Sequence, residues 1–333
     1  MKSTSSADAP IRSRAIRYAP ASGFADADSV VCVKMHDDEL EIDEQTVRRL
    51  VDDQFPEWRS LAIRPVPGAG TVNAIFRIGE DYTARFPLTG EAGPIAETLR
   101  REAVALAELA DACPVPAPQP VALGAPDTGH PLPWSIQTWI PGTVATPTSV
   151  SHSAEFAGDL VKLVEALRDV DTRGRAFGGI GRGGDLKDSD EWMATCFRES
   201  TDLLPVDRLR ALWARMRLLP GAGALAMTHG DLIPGNLLVR EGRLAGVLDG
   251  GGFGPTDPSL DLVAGWHLLD ADARAVFREG LAADDLEWRR GAGWAFQQAM
   301  GLVWYYQHSN PPMSALGRST LRRILDDDEI GAE

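Results

Sequence analysis

A change of pattern near residue 142 constrains the fold of this chain more than any other feature. Before it, apolar residues fall into short runs separated by turn signals. Leu61 to Val66, Val72 to Ile78, Asp81 to Phe86, Val121 to Gly124 and Trp134 to Ile140 read as strands, with turns at Gly68-Ala69-Gly70 and Gly79-Glu80-Asp81. Two helices interrupt them. One covers 43–53 and is capped by Asp43; the other covers 94–110, is opened by Pro94, and carries Leu99, Ala103, Leu106 and Leu109 at helical spacing. The Pro-rich run from Cys113 to Pro120 reads as a stiff connector. After residue 142, long amphipathic patterns take over, at 153–170, 190–203, 206–218, 257–269, 271–281, 284–308 and 313–326. Only 225–249 breaks them, with short β-like pieces. Strands first and helices second predict an α+β chain and exclude the regular alternation of a doubly wound sheet. The expected organisation is bilobal: a polar tail over 1–30, a small β-rich lobe over 31–140 and a large, mostly helical lobe over 141–333.

Composition narrows the classes. The chain has 333 residues, enough for two domains or one large two-lobed one, and its 44% apolar content excludes wholesale disorder. Its three cysteines, Cys32, Cys113 and Cys196, are too few and too scattered for a disulfide scaffold and fit a reducing, cytoplasmic setting. A net charge of −15 argues against a nucleic-acid partner. It is compatible with a cationic small molecule, or with solubility alone. No run has signal-peptide or membrane-span character, so no membrane partner is expected. Lysine occurs only at positions 2, 34, 162 and 187, so a role usually given to lysine must fall elsewhere to arginine.

The chemistry concentrates in Met227-Thr228-His229-Gly230-Asp231-Leu232-Ile233-Pro234-Gly235-Asn236-Leu237, followed by Gly246-Val247-Leu248-Asp249-Gly250. A lone His-Gly-Asp triplet would read as an ordinary polar loop. The full string is far more specific. Its order is a carboxylate able to take a hydroxyl proton, an amide five residues later, and a second carboxylate beyond a hairpin joined by Glu241-Gly242. That order follows the phosphoryl-transfer template. Oxygen donors from Asn236 and Asp249 suit Mg²⁺, a hard cation.

These segments resemble the aminoglycoside phosphotransferase family, antibiotic kinases with the protein-kinase-like fold. The family's H-G-D-x-x-x-x-N matches His229 to Asn236, and its hydrophobic-D-x-G segment matches Leu248 to Gly251, with Asp249 as its carboxylate. The likeness spans roughly residues 40–325. It implies ATP and Mg²⁺ as cofactors, Asp231 as catalytic base, and Asn236 and Asp249 as metal ligands. It gives His229 a structural role. The string Gly254-Pro255-Thr256-Asp257-Pro258-Ser259-Leu260-Asp261-Leu262 resembles the family's G-D-P-x-x-D-L, with Thr256 in place of the usual glycine. Asp257 is expected to cap a helix, and Asp261 to brace the catalytic loop.

The front lobe then has to hold the nucleotide. Gly68 and Gly70 lie in a strand–turn–strand context that suits a phosphate-covering loop, though an ordinary hairpin turn reads the same way. No lysine lies between Lys34 and Lys162. Arg85, in Tyr82-Thr83-Ala84-Arg85-Phe86-Pro87, takes the phosphate-binding position, with Glu102 as its expected partner and Glu97 as the second choice. Main-chain groups near Gln137 and Trp139 are expected to bond the base of the nucleotide. For the acceptor, Asp190, Glu191, Trp266, Asp270 and Tyr305 are candidates, each weighed against a solvated charge or a core aromatic. The implied activity is transfer of the γ-phosphate to a hydroxyl of a small-molecule antibiotic, foremost an aminoglycoside. The alternatives are a kinase of a nucleoside-type antibiotic, sugar or choline-like alcohol, or a nucleotide-binding regulatory module.

Overall fold

The structure is a computed structural model that describes residues 40–66, 72–179 and 181–331. The expected tail over 1–30, Cys32 and the turn with Gly68 and Gly70 lie outside the described residues.

The front lobe runs α1 (Glu44–Gln54), β1 (Ile63–Pro65), β2 (Asn73–Ile78), β3 (Tyr82–Pro87), α2 (Ala92–Ala112), β4 (Pro120–Gly124) and β5 (Trp134–Thr138). Its strands form one antiparallel sheet in the order β1-β2-β3-β5-β4. Asp43 caps α1 by accepting from the Thr46 N–H at 2.7 Å. The helix then buries Val47, Leu50 and Val51 against Ile63, Phe76, Ile78, Ala84, Phe86, Trp134 and Ile136. Each of these buried side chains contributes roughly 1–3 kcal/mol of transfer free energy. Strand alternation places the site: Ala84 and Phe86 join this core, so Arg85 between them projects from the opposite face.

The chain enters the second lobe through Trp139 to Gly142. There follow β6 (Thr143–Val144), α3 (Pro147–Val150), α4 (Ala154–Arg168), α5 (Asp190–Glu199), α6 (Val206–Met216), β7 (Ala226–Thr228), β8 (Leu237–Arg240), β9 (Arg243–Val247), β10 (Gly254–Thr256), α7 (Val263–Leu268), α8 (Ala271–Gly280), α9 (Asp285–Tyr305) and α10 (Pro311–Leu325). Helix α9 is buried on every face from Arg290 to Val303, which puts it at the centre of the lobe. Ser153, Asp270, Asp284 and Asn310 cap α4, α8, α9 and α10. The lobes meet where α2 lies over the turn after Asp249. A Cβ at Gly250 would sit 2.0 Å from Leu109 Cδ2, so only glycine allows that approach.

The helix expected over 257–269 is two elements. Pro258–Leu262 is a 3₁₀ segment, and α7 begins only at Val263. Pro258 starts the turn, and the Asp261 side chain is taken up by the main-chain N–H groups of His229 and Gly230. Two short strands escaped sequence reasoning. β10 pairs with β7, and β6 pairs with β8; runs of two or three residues are too short to show a period.

Candidate active site

Strand β7 delivers His229, Gly230 and Asp231 to a loop whose shape is set by hydrogen bonds from below. Asp261 accepts from the His229 N–H (2.8 Å) and the Gly230 N–H (2.9 Å), one on each carboxylate oxygen. Burial pushes the Asp261 carboxyl up from its ordinary pKa, and these two N–H bonds pull against that. His229 Nε2 donates to the Leu248 carbonyl (2.9 Å), while Nδ1 accepts from the Asp231 N–H (3.3 Å). Both ring nitrogens are therefore used to tie the loop to the segment before Asp249, which is a structural task.

Asp257 caps the 3₁₀ segment through the Ser259 N–H at 3.0 Å. Its Oδ2 also accepts from Arg290 Nε (2.8 Å) and Nη2 (2.5 Å) and from Trp294 Nε1 (2.9 Å). Asp257 and Arg290 are each 2% exposed, so this is a buried ion pair under the site.

The β8–β9 hairpin brings the next two residues together. Leu237 pairs with Val247, and the Leu248 N–H donates to the Asn236 carbonyl at 2.8 Å, so Asn236 and Asp249 stand at the same end. Asn236 Nδ2 donates to the Asp231 carbonyl (2.9 Å) and to Asp231 Oδ2 (3.1 Å). With its donors engaged there, the amide offers its oxygen in other directions. Asp249 has φ 59° and ψ 43°, a left-handed conformation costly for a residue with a Cβ. That conformation aims the carboxylate into the cleft between the lobes.

Arg85 meets Asp249 across that cleft: Arg85 Nη2 donates to Asp249 Oδ1 at 3.0 Å. The Asp249 carboxylate, with Glu102 adding to it, raises the Arg85 guanidinium above its ordinary pKa. The expected Arg85–Glu102 pair is therefore corrected, because the direct ion pair is with Asp249. Glu102 lies beside it, packed against Gly251; its carboxyl is pushed up by burial and drawn down by Arg85. Glu97 is further out and pairs with Arg100 at 3.7 Å. A cavity of about 220 Å³ lies here, lined by Arg85, Glu102, Gln137 and Asp249 and by the apolar Leu99, Leu106 and Ile136. At Trp139 the main-chain donor is engaged and the carbonyl is the group left for a nucleotide base. The Trp139 N–H donates to the Asp81 carbonyl (2.7 Å), and the Thr138 N–H donates to Gln119 (2.9 Å), so both donors are spent within the protein.

Three acceptor candidates are corrected. Trp266 is fully buried under Arg274, whose guanidinium lies 4.6 Å from the ring centre, and it belongs to the core. Asp190 accepts from Arg217 Nε (2.8 Å) and Trp213 Nε1 (3.0 Å), bracing α5 against the end of α6; these bonds hold its carboxyl below the usual range. Asp270 caps α8 through Ala273 and pairs with His152. Glu191 is exposed in the first turn of α5, and Tyr305 is half-buried, edge-on to Trp304 and Tyr306.

One residue at the centre of the site was missed. Arg182, 4% exposed, donates to Asp231 Oδ1 at 2.5 Å. It sits in Gly181-Arg182-Gly183-Gly184, far from every motif, and a sequence carries no sign that an arginine will be buried against a carboxylate 49 positions later.

Asn236 and Asp249 fit a magnesium site by their chemistry, two hard oxygen donors at one end of a hairpin. Among the described residues no group of three or more His, Cys, Asp or Glu could hold a metal ion alone. A cation held by this pair would complete its shell with water and the phosphates of a nucleotide, as Mg²⁺ commonly does.

Comparison with known proteins gives the family and the fold. Residues 63–294 match the model of the phosphotransferase enzyme family. A stretch of 80 residues is 38% identical to an aminoglycoside 3'-phosphotransferase of Escherichia coli, covering 22% of this chain and 30% of that relative's length. Among solved structures, the GDP and kanamycin complex of APH(2")-IIia superposes with a TM-score of 0.63 at 18% identity, over 84% of this chain and 98% of that one. The macrolide 2'-phosphotransferase MphH from Brachybacterium faecium superposes with a TM-score of 0.53 at 21% identity, over 78% of this chain and 92% of that one. The small antiparallel sheet lobe over a larger helical lobe is the kinase-like fold of these neighbours. With more than half of its residues inside the family model, the chain belongs to the phosphotransferase enzyme family.

Proposed function

We propose that the protein transfers the γ-phosphoryl group of ATP directly to a hydroxyl of a small antibiotic, foremost an aminoglycoside. The observation that carries this reading is the convergence of Asp231, Asn236 and Asp249 at one end of the β8–β9 hairpin, with Arg85 reaching them from the other lobe. Asp231 orients the acceptor hydroxyl and takes its proton as the new P–O bond forms. Arg85 is the cation available to the nucleotide phosphates, and its planar fork can bind them bidentately. Asn236 and Asp249 would hold Mg²⁺, which when bound offsets charge on the phosphate oxygens. His229 and Asp261 keep the Asp231 loop in shape. No helix among the described residues is long and apolar enough to cross a membrane. The cytoplasmic setting we propose rests on the need for ATP.

A second acceptor class has its own support. Asp190 is paired with Arg217 and Asp231 with Arg182, so two carboxylates that would attract a polycation are already compensated. That favours a neutral or singly charged polyol such as a macrolide, in line with the macrolide 2'-phosphotransferase among the neighbours. An ADP-release screen over kanamycin, gentamicin, streptomycin and macrolides separates the two. Turnover with aminoglycosides that weakens as salt rises supports the first. Turnover confined to macrolides and insensitive to salt supports the second. ATP bound tightly with no acceptor consumed would defeat both.

A further inference from the structure

The loop Gly181 to Gly184 carries no motif of the family, yet it contributes a buried cation to the reacting carboxylate. Arg182 Nη2 lies 2.5 Å from Asp231 Oδ1, and Asn236 Nδ2 lies 3.1 Å from Asp231 Oδ2. Each oxygen of the carboxylate is thus held by a different donor, from a different segment. Between them they fix the plane of the group and leave the remaining lone pairs of both oxygens to an incoming hydroxyl.

Arg182 is itself held from behind. The Gln298 amide of α9, turned with its oxygen toward the guanidinium, accepts from Arg182 Nη2 (3.2 Å) and Nε (3.3 Å), and its Nε2 donates to His267 Nε2 at 2.8 Å. His267 Nδ1 meets Thr320 Oγ1 of α10 at 2.9 Å. Burial holds the His267 imidazole down at about 4 and so keeps it neutral; Nε2 accepts from Gln298 and the Nδ1–H donates to Thr320 Oγ1, whose own hydroxyl donates to the Leu316 carbonyl. The loop is pinned as well. The Gly183 carbonyl accepts from the Asp257 N–H (3.0 Å), and the Gly184 carbonyl accepts from Arg290 Nη2 (3.0 Å). Gly183 has φ +113°, and a Cβ there would lie 2.5 Å from Thr256 Cβ, so glycine alone allows the loop to come this close. A chain of buried polar groups therefore runs from α10 through α9 to the catalytic loop, with Arg182 at its end.

We propose that Arg182 is a positioning residue for phosphoryl transfer, holding the Asp231 carboxylate in the orientation in which it meets the acceptor hydroxyl. This rests on the reading of Asp231 as the base. At 4% exposure, Arg182 acts through Asp231 and not on the solvent side of the cleft. Misorienting a reacting group by about an ångström costs on the order of 100-fold in rate.

The test compares Arg182→Met, Arg182→Lys, Asp231→Asn and the Arg182→Met/Asp231→Asn double variant. ADP release from MgATP is followed with kanamycin as acceptor and, in parallel, with water as the only acceptor. Arg182→Met should lower kcat roughly 30- to 100-fold with the KM for ATP unchanged. Arg182→Lys should recover part of the loss. Whatever residual turnover Asp231→Asn retains, the Met substitution should lower it by less than about threefold, because the two residues act as a unit. Arg182→Met within about twofold of wild type, beside an inactive Asp231→Asn, overturns the inference and leaves the base assignment standing. Full turnover by Asp231→Asn overturns the base assignment itself. Should Arg182→Met not fold, Gln298→Leu removes the support behind the guanidinium; a kcat equal to wild type in that variant overturns the proposal.

Discussion

The buried pair beneath the site makes the sharpest stability prediction. Arg290 and Asp257 are each 2% exposed, and Arg290 also donates to the carbonyls of Pro220 (2.6 Å) and Gly184 (3.0 Å). Arg290→Met keeps much of the volume and removes the charge. Asp257 would retain the Ser259 N–H and Trp294 Nε1, but its carboxylate would be left without a counter-charge, and the Pro220 and Gly184 carbonyls would lose this donor. Breaking a buried pair in this way costs about 3–5 kcal/mol, a large part of a domain's total stability. At about 2–4 °C per kcal/mol in large domains, thermal unfolding should move down by roughly 6–20 °C. The readout is the unfolding midpoint by circular dichroism, with Arg290→Met/Asp257→Asn alongside. The double variant should recover part of the loss, since no buried charge is then left unpaired. A midpoint for Arg290→Met within about 2 °C of wild type, or a double variant with no recovery, would refute the claim that the pair carries charge in the core.

Other predictions concern the nucleotide and pH. Arg85→Ala should raise the KM for ATP more than it lowers kcat, because it removes a phosphate contact and frees Asp249 from its ion pair; an unchanged KM for ATP would show that Arg85 does not face the phosphates. His130 is fully buried, both its ring nitrogens are unpartnered, and burial pulls its pKa from the ordinary 6.5 down to about 4. The unfolded chain therefore binds a proton there that the folded chain does not. Stability is complete above about pH 6.5 and falls as the pH drops toward 4, by up to about 3 kcal/mol from this group. His130→Phe should flatten that limb of urea unfolding curves taken between pH 7 and 4, and an unaltered slope would contradict the assignment.

The two-lobed order was legible because its signals are local. Short apolar runs with turn residues differ from long amphipathic ones within a few positions, and Asp43 and Pro94 mark helix starts. The Asp231, Asn236 and Asp249 string was legible because a hairpin of fixed length brings its ends together. What escaped were pairings set by the approach of distant segments. The partner of Arg85 proved to be Asp249 at a separation of 164 residues, and the partner of Asp231 proved to be Arg182. Trp266, Asp190 and Asp270 misled because an aromatic or a carboxylate on a helix reads the same in a core, a cap or a binding site. Only packing told these apart. The weight of the −15 charge changed for the same reason: two of the carboxylates at the cleft, Asp231 and Asp249, already have arginine partners.

The most direct test of the account is the fate of the γ-phosphate in wild type and in Asp231→Asn. Each is incubated with MgATP and kanamycin or a macrolide, the acceptor is examined by mass spectrometry and ³¹P NMR, and MgATP binding is measured by calorimetry. The account expects one phosphate ester on an acceptor hydroxyl with wild type, and none with Asp231→Asn, which should still bind MgATP with wild-type affinity. Phosphorylated acceptor from Asp231→Asn at the wild-type rate would contradict it.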